Sequence, residues 1–95
     1  MTSKTLHNSN ISGARKNVLD IEIYGNGDMF QLLCKASSKA EGWMKSTKAM
    51  GVPGGCVVQV TTQQGDNVAE ALVFVPGVEI VKDSAYGGYR LEEIR

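Results

Sequence analysis

Three kinds of side chain in this sequence could do chemistry: one histidine, His7; two cysteines, Cys34 and Cys56; and strand-borne acids such as Asp20 and Glu22. A nucleophile needs a base within hydrogen-bond reach. His7 sits in a polar N-terminal stretch that nothing holds against either cysteine, so no Ser/His or Cys/His pair is expected in the folded body. A structural or catalytic zinc needs several Cys or His ligands at short spacing, and two distant cysteines with one histidine do not supply them. Asp20 and Glu22 would share the outer face of one strand, as paired acids do in glycosidases, but no pocket-forming partner accompanies them. Gly25-Asn26-Gly27 looks like a phosphate loop. A strand follows it, whereas phosphate cradling uses the start of a helix, and the same objection meets Gly54-Gly55. The expectation is a chain that is not an enzyme, with no cofactor and no metal.

Basic residues are the next candidates. Lys35, Lys39, Lys45 and Lys48 fall on or beside a predicted helix, and Lys4, Arg15 and Lys16 lie on the N-terminal arm. Such a stripe could track a phosphate backbone. Against it, Lys+Arg and Asp+Glu are 10 each, so no global field draws the chain to nucleic acid. No strand interleaves aromatic and basic residues as single-strand binders do. Nucleic-acid binding is therefore the alternative reading.

These residues must be positioned by local elements. Residues 1–16 are polar and aperiodic and read as a flexible arm; residues 17–95 read as one domain. Leu19, Ile21 and Ile23 alternate with polar neighbours, Asn26-Gly27 has the chemistry of a type I′ turn, and Phe30, Leu32 and Cys34 alternate again. That pattern predicts a hairpin pairing Ile23 with Phe30 and Leu19 with Cys34, Cys34 facing inward. Ser38-Lys39-Ala40-Glu41 has the form of a capping box, and Ala40, Trp43, Met44, Thr47 and Met50 follow at helical spacing up to Gly51. A second hairpin follows, with Gly65-Asp66 as a type II′ turn, Val60 opposite Ala71, Val58 opposite Val73, and Cys56 inward. Val78–Val81 adds a possible short fifth strand. The predicted fold class is α+β: an antiparallel sheet of two hairpins with one helix packed on one face, in the order ββαββ.

That arrangement leaves Tyr24, Met29, Leu33, Val57, Leu72 and Phe74 on the sheet face away from the helix. A half-exposed antiparallel sheet is normally polar there, so these six form a candidate partner-binding surface. A protein partner is expected, with a homodimer or other homo-oligomer favoured over coverage by the chain's own tail. The N-terminus lacks the apolar run of a signal peptide, and the apolar stretches are strand-length. The expectation is a cytoplasmic protein with reduced cysteines.

The run Lys48-Ala49-Met50 ending a helix, the glycine-rich link, the valine-rich hairpin and Leu72-Val73-Phe74-Val75-Pro76 with Val78, Ile80 and Lys82 resembles small phage-encoded anti-CRISPR proteins of the type I class. The resemblance covers roughly residues 17–82 and rests on element order and apolar positions. It implies a compact inhibitor that acts by binding, without catalysis or cofactor, and it carries over no site residue. The functional expectation is a non-enzymatic protein-binding module, an accessory protein of a phage or mobile element that inhibits or modulates a host complex.

Overall fold

The second predicted hairpin forms as the sequence dictates, and it anchors a larger sheet. The computed structural model describes Ala14, residues 18–25 and residues 27–94. Four strands, β1 (Gln31–Ser38), β2 (Trp43–Val52), β3 (Gly55–Gln64) and β4 (Asn67–Pro76), pair antiparallel in chain order, and β5 (Val78–Lys82) with β6 (Tyr89–Glu93) forms a separate hairpin. Val60 lies opposite Ala71 and Val58 opposite Val73. Gly65 has φ 58° and no described non-glycine residue has positive φ, so Gly65-Asp66 is the type II′ turn that right-twisted strands favour. Pro53-Gly54 joins β2 to β3, and Gly54 takes φ 87°, as the third position of a type II turn requires.

The expected α+β class is wrong: among the described residues there are six strands and no helical element. The reason is local. The Ser38 hydroxyl does accept the Glu41 N–H, at 3.1 Å, and the Gly42 N–H donates to the Ser38 carbonyl at 2.8 Å. One helical turn therefore forms, but Gly42 swings to φ 73° and ends it. The next ten residues become β2, which pairs with β1 on one side and β3 on the other. A strand laddered on both edges satisfies its backbone groups as fully as a helix would, and it also carries the two flanking strands.

The first predicted hairpin is wrong as well. Residues 31–38 pair with β2, not with residues 19–24, which form no strand, and Leu19 is 98% exposed. The register shifts between Leu32 and Cys34, a bulge at Leu33, and Cys34 is exposed rather than inward. Asn26, half of the predicted turn, lies outside the described residues, as does the arm except for Ala14.

Register assigns the sheet two faces. On the back lie Trp43, Lys45, Thr47 and Ala49 of β2, with Cys56, Val58 and Val60 of β3. The β5–β6 hairpin lies there, on the face predicted to hold a helix. Gly77, at φ 72°, turns the chain and donates its N–H to the Gly54 carbonyl at 2.9 Å. The Cys56 thiol then reaches the Val78 carbonyl at 3.6 Å, and Ala49 and Cys56 have no exposed surface. Ile94 N–H donates back to the Gly77 carbonyl at 2.9 Å, so the hairpin is tied to the turn from which it starts. The fully buried apolar set among the described residues is Met44, Ala49 and Cys56, a small core for four strands.

Candidate functional site

Two features of the sheet could meet another molecule. The first is a polar row across the front face, where the ladders place Lys35, Ser46, Thr61 and Glu70 side by side on four successive strands. Ser46 and Thr61 are buried, and a cavity of about 120 Å³ opens among Lys35, Met44, Ser46, Lys48, Gln59, Thr61 and Glu70. The Thr61 hydroxyl donates to Glu70 Oε1 at 3.0 Å, and the Gln59 amide approaches the same oxygen at 3.5 Å. Lys48 Nζ lies 3.7 Å from Asp28 Oδ2. Burial, and then the nearby Lys48 charge, lower the Lys35 pKa from its ordinary value, because both disfavour a second ammonium in the cavity. The row holds charges of both signs, and Thr61 bonds Glu70 within it. That arrangement suits a structural polar seam better than a ligand cradle.

The second feature is β4. It ends the strand order, so one of its edges has no neighbour among the described residues. Both of its faces are bare too: Val68, Leu72, Val73 and Phe74 are half or more exposed, and Val60 beside them on β3 is 44% exposed. The two-residue turn after Gln64 makes Gln64 and Asn67 a hydrogen-bonded pair, and antiparallel pairing alternates from there. The odd-numbered residues of β4 therefore bond to β3. The even-numbered ones, Val68, Glu70, Leu72, Phe74 and Pro76, turn their backbone groups outward. Pro76, which lacks an N–H, obeys the same alternation. The opposite edge strand is treated differently: β1 carries the Leu33 bulge and Lys35, and Gly88 packs close to the Leu32 carbonyl. Bulges, lysines and covering loops are what keep an edge from pairing. On β4 the one charge, Glu70, is drawn back toward β3 by Thr61 and leaves the edge open.

The structure brings together three of the six predicted surface residues. Val57, Leu72 and Phe74 are neighbours on the front face, Val57 directly opposite Phe74. Leu33 is the bulged residue at the far edge. Tyr24 and Met29 are exposed in the segment before β1, around a shallow depression that includes Met50. Val68 and Val73 complete the bare strand. The sequence reading missed them because it placed Val73 beneath a helix; the available signal was a ten-residue strand carrying one charge. The lysines do not form a stripe. Lys35 and Lys48 point to the front, Lys45 to the back, and Lys39 sits in the β1–β2 loop. Arg15 and Lys16 lie outside the described residues.

Among the described residues no three His, Cys, Asp or Glu side chains gather as a metal set, and no helix is long and apolar enough to cross a membrane. Fold and surface together define a small antiparallel β protein with one open, apolar edge. The chain belongs to the Lockin family, which it matches over residues 1–91. No curated protein and no solved structure matches it.

Proposed function

We propose that this chain is a protein-binding module without catalysis of its own, and that it binds through β4. The observation that supports this is the exposure of one ten-residue strand on both faces and along one edge. Covering the exposed halves of Val68, Leu72, Val73 and Phe74 contributes about 1 kcal/mol for each side chain, on top of the main-chain hydrogen bonds an added strand would make. The cytoplasm is the proposed location. An accessory or inhibitory role toward a host complex belongs to the same proposal, although the helix on which the anti-CRISPR resemblance drew is a strand in this fold. The lysines' division between two faces gives nucleic-acid binding no comparable support.

A pull-down from host lysate, with wild type beside the Leu72→Glu/Phe74→Glu double variant as bait, tests the reading. Folding of the variant is checked by circular dichroism. A protein held by wild type and lost from the folded variant is the expected result. Identical protein sets on both baits, or a salt-dependent shift of DNA or RNA by wild type, would sink it.

A further inference from the structure

We infer that the occupant of β4 is a second copy of this chain, paired antiparallel β4 to β4 about a twofold axis through Ala71, so that two four-stranded sheets become one of eight strands. The inference rests on β4 being the binding surface and names a second copy as the partner of its edge, with the register; a host complex would then meet the front face of the paired strands, where Leu72 and Phe74 lie. A twofold axis perpendicular to a sheet keeps each face continuous, so only residues of the same parity can lie opposite one another. That leaves a few registers, and backbone chemistry separates them.

With Ala71 on the axis, Glu70 faces Leu72 of the second copy and Val68 faces its Phe74. All four outward non-proline residues then exchange N–H and carbonyl with an outward residue, and no proline is engaged. Centring on Leu72 sets Val68 against Pro76, which has no N–H to give. Centring on Glu70 sets two carboxylates directly opposite, which is destabilising. The Ala71 register also suits the side chains. Ala71 faces β3 with its backbone groups, so the axis falls on a non-hydrogen-bonded pair, where side chains crowd most and Cα atoms are about 4.5 Å apart; alanine fits there. On the front, Val68 meets Phe74; on the back, Ala69 meets Val73. Val68, Val73 and Phe74 thus gain apolar neighbours, while Leu72 lies beside Glu70 of the second copy. Glu70 keeps its hydrogen bond from Thr61, at 3.0 Å, and needs no counter-charge from the second copy.

Sedimentation and one pair of cysteine variants test this. Wild type is expected at twice the chain mass, and Leu72→Lys, which puts a charge on the pairing edge, at the single-chain mass with an unchanged circular dichroism spectrum. In a Cys34→Ser background, which removes the exposed native thiol, Ala71→Cys places two thiols within the Cα window a disulfide accepts. It should convert to covalent dimer under mild oxidation. Ala69→Cys on the same face sits about 14 Å from its symmetry mate, four residues along the strand, and should not. The cysteine arm does not depend on Leu72→Lys folding. Cross-linking at position 69 and not 71, or at neither in a dimeric protein, overturns the register. A wild type that is monomeric at every concentration overturns the second copy as occupant; the protein-binding reading then stands or falls on its own pull-down.

Discussion

Two glycines in the β2–β3 hairpin make a matched pair of perturbations with opposite expected signs. Gly55 opens β3 opposite Pro76 and is buried. A Cβ at this position would run into the Val75 carbonyl oxygen and lie 2.9 Å from Pro76 Cα, both of them backbone atoms. Backbone cannot rotate aside as a side-chain tip can. Relief would require β3 and β4 to part just where the Gly77 N–H is held by the Gly54 carbonyl and β5 turns back over Cys56. Gly51, four residues earlier and opposite Cys56, has ordinary φ, is exposed, and a Cβ there meets nothing within 4 Å. Gly55→Ala should therefore destabilise by about 2–3 kcal/mol, at the upper end of overpacking costs. Gly51→Ala should stabilise by roughly 0.5–1 kcal/mol, because alanine has less freedom to lose on entering a strand. In a domain of this size the first change corresponds to a fall in Tm on the order of 10–20 °C. Urea unfolding at one fixed protein concentration reads both, which keeps any change in assembly out of the comparison. A Gly55→Ala midpoint within half a kcal/mol of wild type would refute the close approach of the two strands at this corner, and with it the anchoring of β5.

The cysteines should separate cleanly: native protein takes up one equivalent of iodoacetamide, at exposed Cys34, and buried Cys56 reacts only after denaturation, as read by intact mass. Rapid labelling of Cys56 in native protein would mean that the β5–β6 hairpin does not cover it. For Lys35, the folded pKa lies below the ordinary 10.5, so between the two values the unfolded chain holds more protons and stability rises with pH. The cost of charging Lys35 is present in full at neutral pH and is relieved as pH climbs toward 10.5. The urea midpoint of wild type should gain more between pH 7 and pH 10 than that of Lys35→Met, and equal gains would remove Lys35 from the cavity.

Residues 55–76 were legible because every level agreed: two valine-rich alternating runs, a Gly-Asp turn, and one register that matched both apolar sets. Residues 38–50 were not, because the levels disagreed. The capping signature of Ser38 and Glu41 is real and its hydrogen bond forms, but one turn of helix is all it specifies. Trp43, Met44, Thr47 and Met50 fit a helical stripe, while the strand they occupy alternates poorly: Met44, Ser46, Lys48 and Met50 on one face, Lys45, Thr47 and Ala49 on the other. An interior strand with a polar seam on one side does not show clean period-two alternation. Gly42, just inside the supposed helix, was the available warning, at about 1 kcal/mol against alanine. The error at residues 19–24 follows from it. With no strand at 43–52, the only partner left for residues 31–38 was the segment before them. The bare strand itself is half visible in the sequence: Val57, Leu72 and Phe74 fall on an uncovered face, while Val73 falls beneath a predicted helix that is a strand in the fold.

The bulge at Leu33 would limit how far the proposed pairing through β4 could go. A sheet with two adhesive edges has no natural end, and each added molecule offers a fresh edge to the next, which is the geometry of a fibre. Here the far edge is broken in register at Leu32/Cys34, and the loop at Gly88 lies against it. A molecule that joins through β4 therefore presents only its blunted side to the solution. If copies pair through β4 as proposed, growth would stop at two, and one extra residue in one strand would separate a closed pair from an open polymer.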